Sequence, residues 1–242
     1  MSIISAKQKK SLYTEIVRKD CYLLKCWKIN FFDYILDIGA NIGLFSLYVN
    51  FLHYNAKIFA YEPCKKTFNY LIENTNYIDN TKYIQKALGD GSNLYLYDTG
   101  YSGCNLFFKK DETDKKLDSQ YTRSLSLGDM FEKNKILMNS RFFIKMDCEG
   151  GERFLLYDNL AINIIRNSHA TAIEVHFPPT KTPRNEAAER FKTFPTWEIY
   201  NNWIHDNFEK THEIVYHCSS GRNGAGVYVL LKKESSGLIR DK

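Results

Sequence analysis

Hydrophobic and polar residues follow two different patterns along this chain, one typical of strands and one typical of helices, and the two patterns alternate. Short apolar runs that begin at Tyr34, Lys57, Phe142 and Thr171 predict buried strands. Apolar residues that recur every three or four positions predict helices between these strands, as in the segment 42–52. Strands that alternate with helices are typical of a parallel sheet covered on its faces, so the pattern predicts an α/β fold.

The same pattern places the remaining elements and bounds the domain. Further strands are predicted at 81–88, 93–97, 123–127, 213–217 and 226–231, and further helices at 64–74, 160–167 and 197–204. The polar run 109–120 is predicted to be a surface loop, and 180–195 an insertion. The predicted organisation is a helical extension at 1–33, one α/β domain at 34–233 and a disordered tail at 234–242.

A turn rich in glycine follows the first strand and carries the clearest chemical signal. Its residues are Gly39, Ala40, Asn41, Ile42 and Gly43, and Gly43 is expected to let the next helix pack close to the strand. A dinucleotide site would show the spacing G-x-G-x-x-G, whereas this turn has G-x-x-x-G. It also follows Asp37, whose carboxylate would repel a pyrophosphate but suits an ammonium group. The turn therefore favours S-adenosylmethionine over NAD, and the alternative is a turn that binds no ligand.

An acidic residue ends the second predicted strand at a position that suits a ribose. Glu62 follows the turn by about 20 residues, where α/β nucleotide folds place a carboxylate that accepts both ribose hydroxyls. Pro63 ends this strand, and Ala87 and Leu88, at the end of the third strand, are expected to flank an adenine. A lone acidic residue is more often only solvated, so the assignment depends on the preceding turn. The predicted cofactor-binding residues are Asp37, Gly39, Ala40, Asn41, Gly43, Glu62, Pro63, Ala87 and Leu88.

Ionisable residues interrupt two of the later apolar strands. In the strand that begins at Phe142, three charged residues alternate with apolar ones and so share one predicted face: Lys145, Asp147 and Glu149. Glu174 and His176 repeat this alternation in the next strand. Burying charged groups on an apolar strand costs free energy, so such groups are usually paired with opposite charges or serve a function. A functional site or a structural ladder of ion pairs would explain them.

Composition and charge exclude several classes of protein. Hydrophobic residues make up 44% of the 242 positions and charged residues 25%, which indicates an ordinary globular domain. The net charge of +5 is scattered without an arginine-rich strip, which disfavours a nucleic-acid partner without excluding it. The six cysteines show neither C-x-x-C pairs nor zinc spacing, and no apolar run reaches membrane-spanning length. We therefore expect a cytoplasmic protein that has no membrane contact.

Five segments of the chain resemble the FkbM family of S-adenosylmethionine-dependent methyltransferases. They are LDIGANIG at 36–43, YEP at 61–63, KALGD at 86–90, IKMDCEGGE at 144–152 and IEVH at 173–176. Their order and spacing agree with the family, although Gly128 stands where an aspartate is usual. The resemblance implies a Rossmann-like class I methyltransferase fold over 34–233, with seven mostly parallel strands and helices on both faces. It also implies O-methylation of a sugar, a glycan or another small hydroxylated molecule.

Methyl transfer to a hydroxyl sets two requirements that the charged segments could meet. The acceptor oxygen must be held in line with the methyl carbon, and its proton must be removed. Asp147 and Glu149 are predicted to lie where the methyl group emerges, with Lys145 beside them. His176 is the predicted general base because its unperturbed pKa, about 6.5, is near neutrality. Alternatively, Asp147, Glu174 and His176, together with Glu149, hold a divalent cation, Mg or Mn, that acidifies the hydroxyl.

The sequence leaves three other functions open. Lys145, Asp147 and Glu174 could serve an RNA ribose 2′-O-methyltransferase, which uses a lysine and carboxylates around the ribose hydroxyl. A non-catalytic protein that binds S-adenosylmethionine, or a scaffold, is a second alternative, and the complete acidic motif argues against it. An NAD oxidoreductase is the third, and the missing G-x-G spacing disfavours it. The sequence selects neither the hydroxylated acceptor nor an oligomeric state.

Overall fold

A computed structural model describes residues 6–97, 106–108, 121–177, 194–220 and 225–234 of the chain. Within these residues the strands are β1 (Tyr34–Ile38), β2 (Lys57–Tyr61), β3 (Thr81–Ile84), β4 (Asn93–Tyr97), β5 (Leu106–Phe108), β6 (Tyr121–Arg123), β7 (Phe142–Met146), β8 (Ala170–His176), β9 (His212–Ser220) and β10 (Ala225–Lys232). The α-helices are α1 (Ala6–Tyr13), α2 (Leu44–Leu52), α3 (Lys65–Thr75), α4 (Leu127–Asn134), α5 (Asn159–Asn167) and α6 (Trp197–Phe208). Shorter helical segments are a π-helix at Thr14–Arg18 and 3₁₀-helices at Leu24–Cys26 and Gly151–Leu155.

The main sheet contains seven strands in the order β3-β2-β1-β7-β8-β10-β9, and β5-β4-β6 form a separate antiparallel sheet. β3, β2, β1, β7 and β8 pair in parallel, whereas β10 is antiparallel to both of its neighbours. The predicted Rossmann-like α/β architecture, with seven mostly parallel strands and helices on both faces, is confirmed. The strand order reverses between β1 and β7, and open α/β sheets bind ligands at the carboxyl ends of strands beside such a point.

Two apolar clusters cover the two faces of the main sheet. One cluster combines Leu36 of β1 and Ile144 of β7 with the helices α4, α5 and α6. The other combines Ile35 of β1 and Phe143 of β7 with Phe45 of α2 and with the N-terminal segment. Neighbouring residues of one strand enter different clusters because successive side chains point to opposite faces. The alternation in the sequence therefore predicts correctly which residues face each layer of helices.

The structure moves the ends of two predicted strands. β3 ends at Ile84 rather than at residue 88, and Leu88 instead forms an isolated bridge with Leu125. β6 is shorter at its C-terminal end than predicted, because Ser126 already caps α4. Ser126 and Asp129 each accept a hydrogen bond from the other's backbone N–H in a capping box. The N-cap of α4 thus includes Ser126, which the sequence pattern assigns to a strand.

β7 also ends earlier than the sequence pattern predicts. The strand stops at Met146, and the backbone turns at Glu149, where φ is +51°, and at Gly150, where φ is +104°. The alternation of side chains along the strand therefore does not extend to Glu149. A 3₁₀-helix follows the glycine pair, and α5 begins only after its N-cap Asp158, whose side chain accepts two backbone N–H bonds.

The described part of the predicted N-terminal extension covers one face of the sheet. α1 continues directly into the π-helix Thr14–Arg18, which packs against α2. The carboxylate of Asp20 accepts hydrogen bonds from Leu24 N and Lys25 N and so fixes the next 3₁₀-helix. Tyr22 is buried in the apolar cluster that contains α2. These residues therefore pack into the same core as the sheet.

Several predictions fall outside the described residues. They concern the surface loop 109–120, all but the last two positions of the insertion 180–195, and the tail 234–242 beyond its first residue. Among the helices that the structure describes, none is both long and apolar enough to cross a membrane.

Candidate active site

A cavity opens at the carboxyl ends of β1, β2 and β7, beside the point where the strand order reverses. It encloses about 670 Å³ of space, part of which is open to solvent. Most of the predicted cofactor-binding residues line it, namely Gly39, Asn41, Glu62, Pro63, Ala87 and Leu88. The predicted catalytic residues Asp147 and Glu149 line the same cavity. The structure therefore brings residues from four separate segments of the sequence to one place.

The glycine turn after β1 satisfies its backbone N–H groups within the protein. Gly39 N and Ala40 N both donate to the carbonyl oxygen of Tyr61, at 2.9 and 2.8 Å. Asn41 N donates to Glu62 Oε2 at 3.0 Å. A pyrophosphate site needs N–H groups of this kind to be free for the anion. The turn is therefore unsuited to a dinucleotide, which supports the predicted preference for S-adenosylmethionine.

Both glycines of this turn lie in close packing. Gly39 has a φ of +78°, and a β-carbon there would lie 1.8 Å from the carbonyl oxygen of Asp147. Gly43 has a φ of +91°, and a β-carbon there would meet Thr75 Cγ2 at 2.5 Å and Leu71 Cδ1 at 2.9 Å. Both of these side chains belong to α3. The expectation that Gly43 lets the helix approach the strand is wrong, because the close neighbour is α3, and Gly43 does not line the cavity.

Glu62 presents a buried carboxylate to the cavity. Its Oε2 atom accepts a hydrogen bond from Asn41 N, and its Oε1 atom accepts one from Cys64 N, both at 3.0 Å. Each oxygen keeps a further lone pair for a hydroxyl donor. Burial raises the pKa of Glu62 to about 7, although the two N–H donors act in the opposite direction. The carboxylate is therefore charged above neutral pH and becomes protonated below it.

Asp37 lies beneath the turn and does not reach the cavity. Its side chain is fully buried, accepts a hydrogen bond from Ser46 Oγ at 2.7 Å and lies 3.3 Å from Lys145 Nζ. Because the carboxylate is neutralised inside the protein, its placement contradicts the prediction that Asp37 meets an ammonium group of the ligand. Ala40, also predicted to bind the cofactor, is buried against Leu71 instead of lining the cavity.

Lys145 joins the turn after β1 to the segment after β7. Its buried ammonium group donates to the carbonyl oxygen of Gly39 at 2.6 Å. It also lies 3.3 Å from Asp37 Oδ1 and 3.7 Å from Asp147 Oδ2. Burial alone would lower the pKa of Lys145, but the two carboxylates outweigh burial and raise it. A charged ammonium group has no lone pair to accept a proton, so Lys145 acts on its neighbours as a fixed charge and a donor.

Asp147 connects the cavity with the N-terminal segment. Its backbone N–H donates to the carbonyl oxygen of Ile38 at 3.1 Å, which holds the chain close to β1 after β7 has ended. Its side chain is 28% exposed. The Oδ2 atom accepts a hydrogen bond from the buried hydroxyl of Tyr22 at 3.4 Å. The carboxylate of Asp147 is thus partly exposed towards the cavity and is held by Tyr22 on the side of the N-terminal segment.

Glu152 fixes the turn that carries Asp147 and Glu149. Its carboxylate, almost fully buried, accepts hydrogen bonds from Cys148 N at 2.7 Å and from Gly150 N at 2.8 Å. Buried backbone N–H groups need such partners, and this turn has no strand beside it to supply them. Glu152 therefore replaces the strand pairing that ends at β7.

His176 lies between two carboxylates. Its Nδ1 atom is 3.4 Å from Glu152 Oε1, and its Nε2 atom is 3.4 Å from Glu149 Oε2. Burial would lower the pKa of His176, but Glu152 and Glu149 outweigh burial and raise it well above the ordinary value of 6.5. The charged ring has no lone pair that could take a proton from an acceptor hydroxyl. This arrangement argues against the predicted role of His176 as the general base.

The predicted metal ligands are only partly brought together. Donor atoms of Asp147 and His176 lie within 4.8 Å of each other and of Glu149, whereas Glu174 is not part of that group. Burial and the nearby charge of Asp147 raise the pKa of Glu174 well above its ordinary range. A divalent cation needs a neutral imidazole, and the two carboxylates favour the charged form of His176. The contacts of His176 therefore favour a proton over a divalent metal ion at the imidazole.

Sequence reasoning missed several residues at this site. Two cavity residues carry no pattern that separates them from ordinary helix and strand positions, Thr67 and Leu94. Lys86 begins the KALGD segment but was not predicted to line the site. Glu152 has a signal, since it belongs to the charged motif at 144–152, but its role depends on the turn that the strand pattern does not show. Tyr22 lies 125 positions before Asp147, and no local pattern indicates a contact of that range.

The chain matches a known family over most of its length. Residues 37–207 match the model described as the methyltransferase FkbM domain. This stretch contains the glycine turn, Glu62, both charged segments and all of the walls of the cavity.

Curated relatives are similar over shorter stretches. Methyltransferase sdnD of Sordaria araneosa is 41% identical over 71 residues, which cover 29% of this chain and 27% of the relative. The 31-O-demethyl-FK506 methyltransferase FkbM of Streptomyces tacrolimicus is 34% identical over 65 residues, which cover 27% and 25%. Methyltransferase 1 of Beauveria bassiana is 27% identical over 111 residues, which cover 43% and 45%. The chain thus spans less than half the length of each of these relatives.

A solved structure resembles this one in outline. The crystal structure of methyltransferase FkbM from Methylobacillus flagellatus KT is 16% identical, with a TM-score of 0.47, over 82% of this chain and 43% of that one.

Proposed function

The chain belongs to the FkbM methyltransferase family, and on that premise we propose that it transfers the methyl group of S-adenosylmethionine to a hydroxyl oxygen. The proposed acceptor is a sugar, a glycan or another small hydroxylated molecule. One observation carries the proposal: two carboxylates with different surroundings, Glu62 and Asp147, line the same cavity. Glu62 suits the cofactor, and Asp147 suits the proton of an acceptor.

The cofactor part of the proposal is supported by the walls of the cavity. Glu62 would accept hydrogen bonds from the two ribose hydroxyls, because both of its oxygens keep a free lone pair. Ala87, Leu88 and Leu94 would offer an apolar surface to the adenine. The bound sulfonium supplies an electrophilic methyl carbon. The N–H groups of the turn are not needed for this ligand, in agreement with their internal hydrogen bonds.

Asp147 is proposed to receive the proton of the acceptor hydroxyl. As the acceptor oxygen bonds to the methyl carbon, the bond between that carbon and the sulfur breaks, and the hydroxyl proton passes to the carboxylate. Lys145 and Tyr22 approach Asp147 at the same oxygen, Oδ2, and keep the carboxylate in one orientation. Glu149 lines the cavity beside it and is proposed to accept a hydrogen bond from the acceptor.

His176 is proposed to position Glu149 rather than to act as the base. Its charged ring joins Glu149, in the cavity wall, to the buried carboxylate of Glu152. Such an arrangement fixes the direction of the Glu149 side chain although the turn around it lies outside the sheet. No divalent cation is part of the proposal, because the charged ring cannot bind one.

RNA ribose 2′-O-methylation is the second candidate, and the presence of Lys145 beside Asp147 favours it. In that reaction a lysine would face the ribose hydroxyl. Lys145 is instead buried, does not line the cavity, and donates to the carbonyl oxygen of Gly39. The contacts of Lys145 therefore support a small hydroxylated acceptor over RNA.

A transfer assay with labelled S-adenosylmethionine tests the proposal. The acceptors are neutral and anionic methyl glycosides, small polyols and an RNA oligonucleotide, and binding of S-adenosylhomocysteine is measured in parallel by calorimetry. Label in a glycoside or polyol is the expected result. Label in RNA alone would replace the proposal with the second candidate. Cofactor binding without any transfer would favour a non-catalytic protein, and absence of cofactor binding would contradict every one of these functions.

A further inference from the structure

Part of the chain before the family-matched residues contacts Asp147, the proposed proton acceptor in the cavity wall. The match begins at residue 37, whereas the π-helix Thr14–Arg18 and Tyr22 lie before it. The π-helix packs against α2, and the ring of Tyr22 meets that of Phe45 edge to face, with centroids 5.4 Å apart. π-Helical segments are rare and are frequent at functional sites. The position of this one is fixed by burial in the core.

Tyr22 contacts the carboxylate that is proposed to receive the proton. Its hydroxyl lies 3.4 Å from Asp147 Oδ2, and Lys145 Nζ lies 3.7 Å from the same oxygen. Two donors that converge on Oδ2 leave Oδ1 as the atom for the acceptor hydroxyl. Because the ring of Tyr22 is buried and packed on Phe45, its hydroxyl is held in place without a contribution from the acceptor.

We propose, on the basis of the proposed function, that Tyr22 is a positioning residue for methyl transfer: its hydroxyl holds the Asp147 carboxylate so that Oδ1 can receive the proton of the acceptor hydroxyl. The family-matched part of the chain thus supplies Asp147 and the walls of the cavity, and the segment before it supplies a residue that orients this carboxylate.

The first experiment compares Tyr22→Phe with a matched control, Tyr48→Phe, in the full chain. Tyr48 lies on α2 in the same cluster, and its buried hydroxyl makes no hydrogen bond within the described residues. With methyl β-D-glucopyranoside as the acceptor probe, Tyr22→Phe should lower kcat at least tenfold. The KM for S-adenosylmethionine and the Kd for S-adenosylhomocysteine should stay within twofold. Tyr48→Phe should leave all three constants unchanged, and wild-type kcat in Tyr22→Phe would overturn the positioning role.

A second measurement needs no acceptor, so it separates this inference from the proposed function. Carbon-13 labelling at tyrosine Cζ reports the hydrogen bond of each phenol, and the Tyr22 signal is assigned by its loss in Tyr22→Phe. Asp147→Asn should shift the Tyr22 signal and leave that of Tyr48 in place. An unmoved Tyr22 signal would contradict the contact itself. Absence of transfer by the wild-type chain would instead contradict the proposed function.

Discussion

Gly39 and Asp147 approach each other so closely that a β-carbon on Gly39 would lie 1.8 Å from the Asp147 carbonyl oxygen. The turn that lines the cofactor side of the cavity and the segment that carries the proposed proton acceptor therefore touch through their backbones. Lys145 strengthens the same connection by donating to the carbonyl oxygen of Gly39. Neither segment can move far without displacing the other.

Gly39→Ala should consequently disrupt both segments. The β-carbon would collide with backbone atoms that have no alternative position, so we expect loss of S-adenosylhomocysteine binding and a lower free energy of unfolding. Gly91→Ala is the control, because Gly91 also has a positive φ, +87°, but has open space around its β-position. The control should cost about 1 kcal/mol from the backbone alone. Calorimetric binding and urea unfolding measure the two effects, and equal losses in both variants would contradict the close approach.

Asp147→Asn should abolish transfer and keep the cofactor site intact. The amide preserves the size of the side chain but cannot receive the proton, so kcat should fall at least a hundredfold. The Kd for S-adenosylhomocysteine should remain within threefold, since Glu62 and the turn are unchanged. Asp79→Asn, at an exposed position after α3, is the control and should retain full activity. Full activity in Asp147→Asn would remove the proposed role.

Cofactor affinity should depend on pH through Glu62. Because burial raises its pKa to about 7, the carboxylate that would accept the ribose hydroxyls is lost as the pH falls below neutrality. The affinity for S-adenosylhomocysteine should be constant above pH 8 and should fall towards tenfold per pH unit below 6. Glu62→Gln should bind more weakly and should lose this pH dependence. A wild-type affinity that is flat from pH 5.5 to 8.5 would contradict the ribose role.

His176 should stabilise the fold most strongly at low pH. Its folded pKa is raised by Glu152, Glu149 and Glu174 in spite of burial, so its contribution is fully present below about 6.5 and declines as the pH rises through the folded value. The decline is about 1.4 kcal/mol per pH unit in that window. His176→Gln should therefore lower the free energy of unfolding more at pH 6 than at pH 8.5. His205→Gln, an exposed position on α6, is the control for removal of a histidine.

Chelation should leave turnover unchanged. Since the contacts of His176 favour its charged form, no divalent cation is expected between Asp147 and Glu149. Transfer rates measured after dialysis against EDTA, and again after addition of Mg or Mn, should agree with the untreated rate. Loss on chelation with recovery on addition of either ion would show that the imidazole is neutral in the working enzyme.

The sequence predicted the residues that line the cavity after β1 and β2 better than the contacts made after β7 and β8. Gly39 and Glu62 were found because they end short apolar strands, and the ends of parallel strands meet at one edge of a sheet. Asp37 was misjudged because its partner, Lys145, reaches it only through the register of β1 with β7. That register joins segments far apart in the chain, and the pattern of either strand alone does not contain it.

The turn after β7 shows a second limit of sequence patterns. The alternation of side chains predicts the direction of the Glu149 side chain only if the strand continues to that residue, and β7 stops at Met146. The positive φ at Glu149 shows that the backbone has already turned there. The contacts of His176 with Glu149 and Glu152 depend on the turn, so the role of the imidazole could not be judged from its ordinary pKa. Tyr22 gave no local signal at all, since only tertiary packing brings it to Asp147.

The antiparallel pairing of β10 with β8 affects how the sheet forms while the protein is being synthesised. β8 carries Glu174 and His176, and one of its edges pairs with β10, which lies beyond the family-matched residues. On the ribosome, β8 leaves the exit tunnel with that edge unpaired, and the edge stays unpaired until β10 has been synthesised. A nascent or truncated chain that contains every motif residue but stops before β10 therefore exposes an unpaired strand edge beside the candidate active site, where another chain can pair with it.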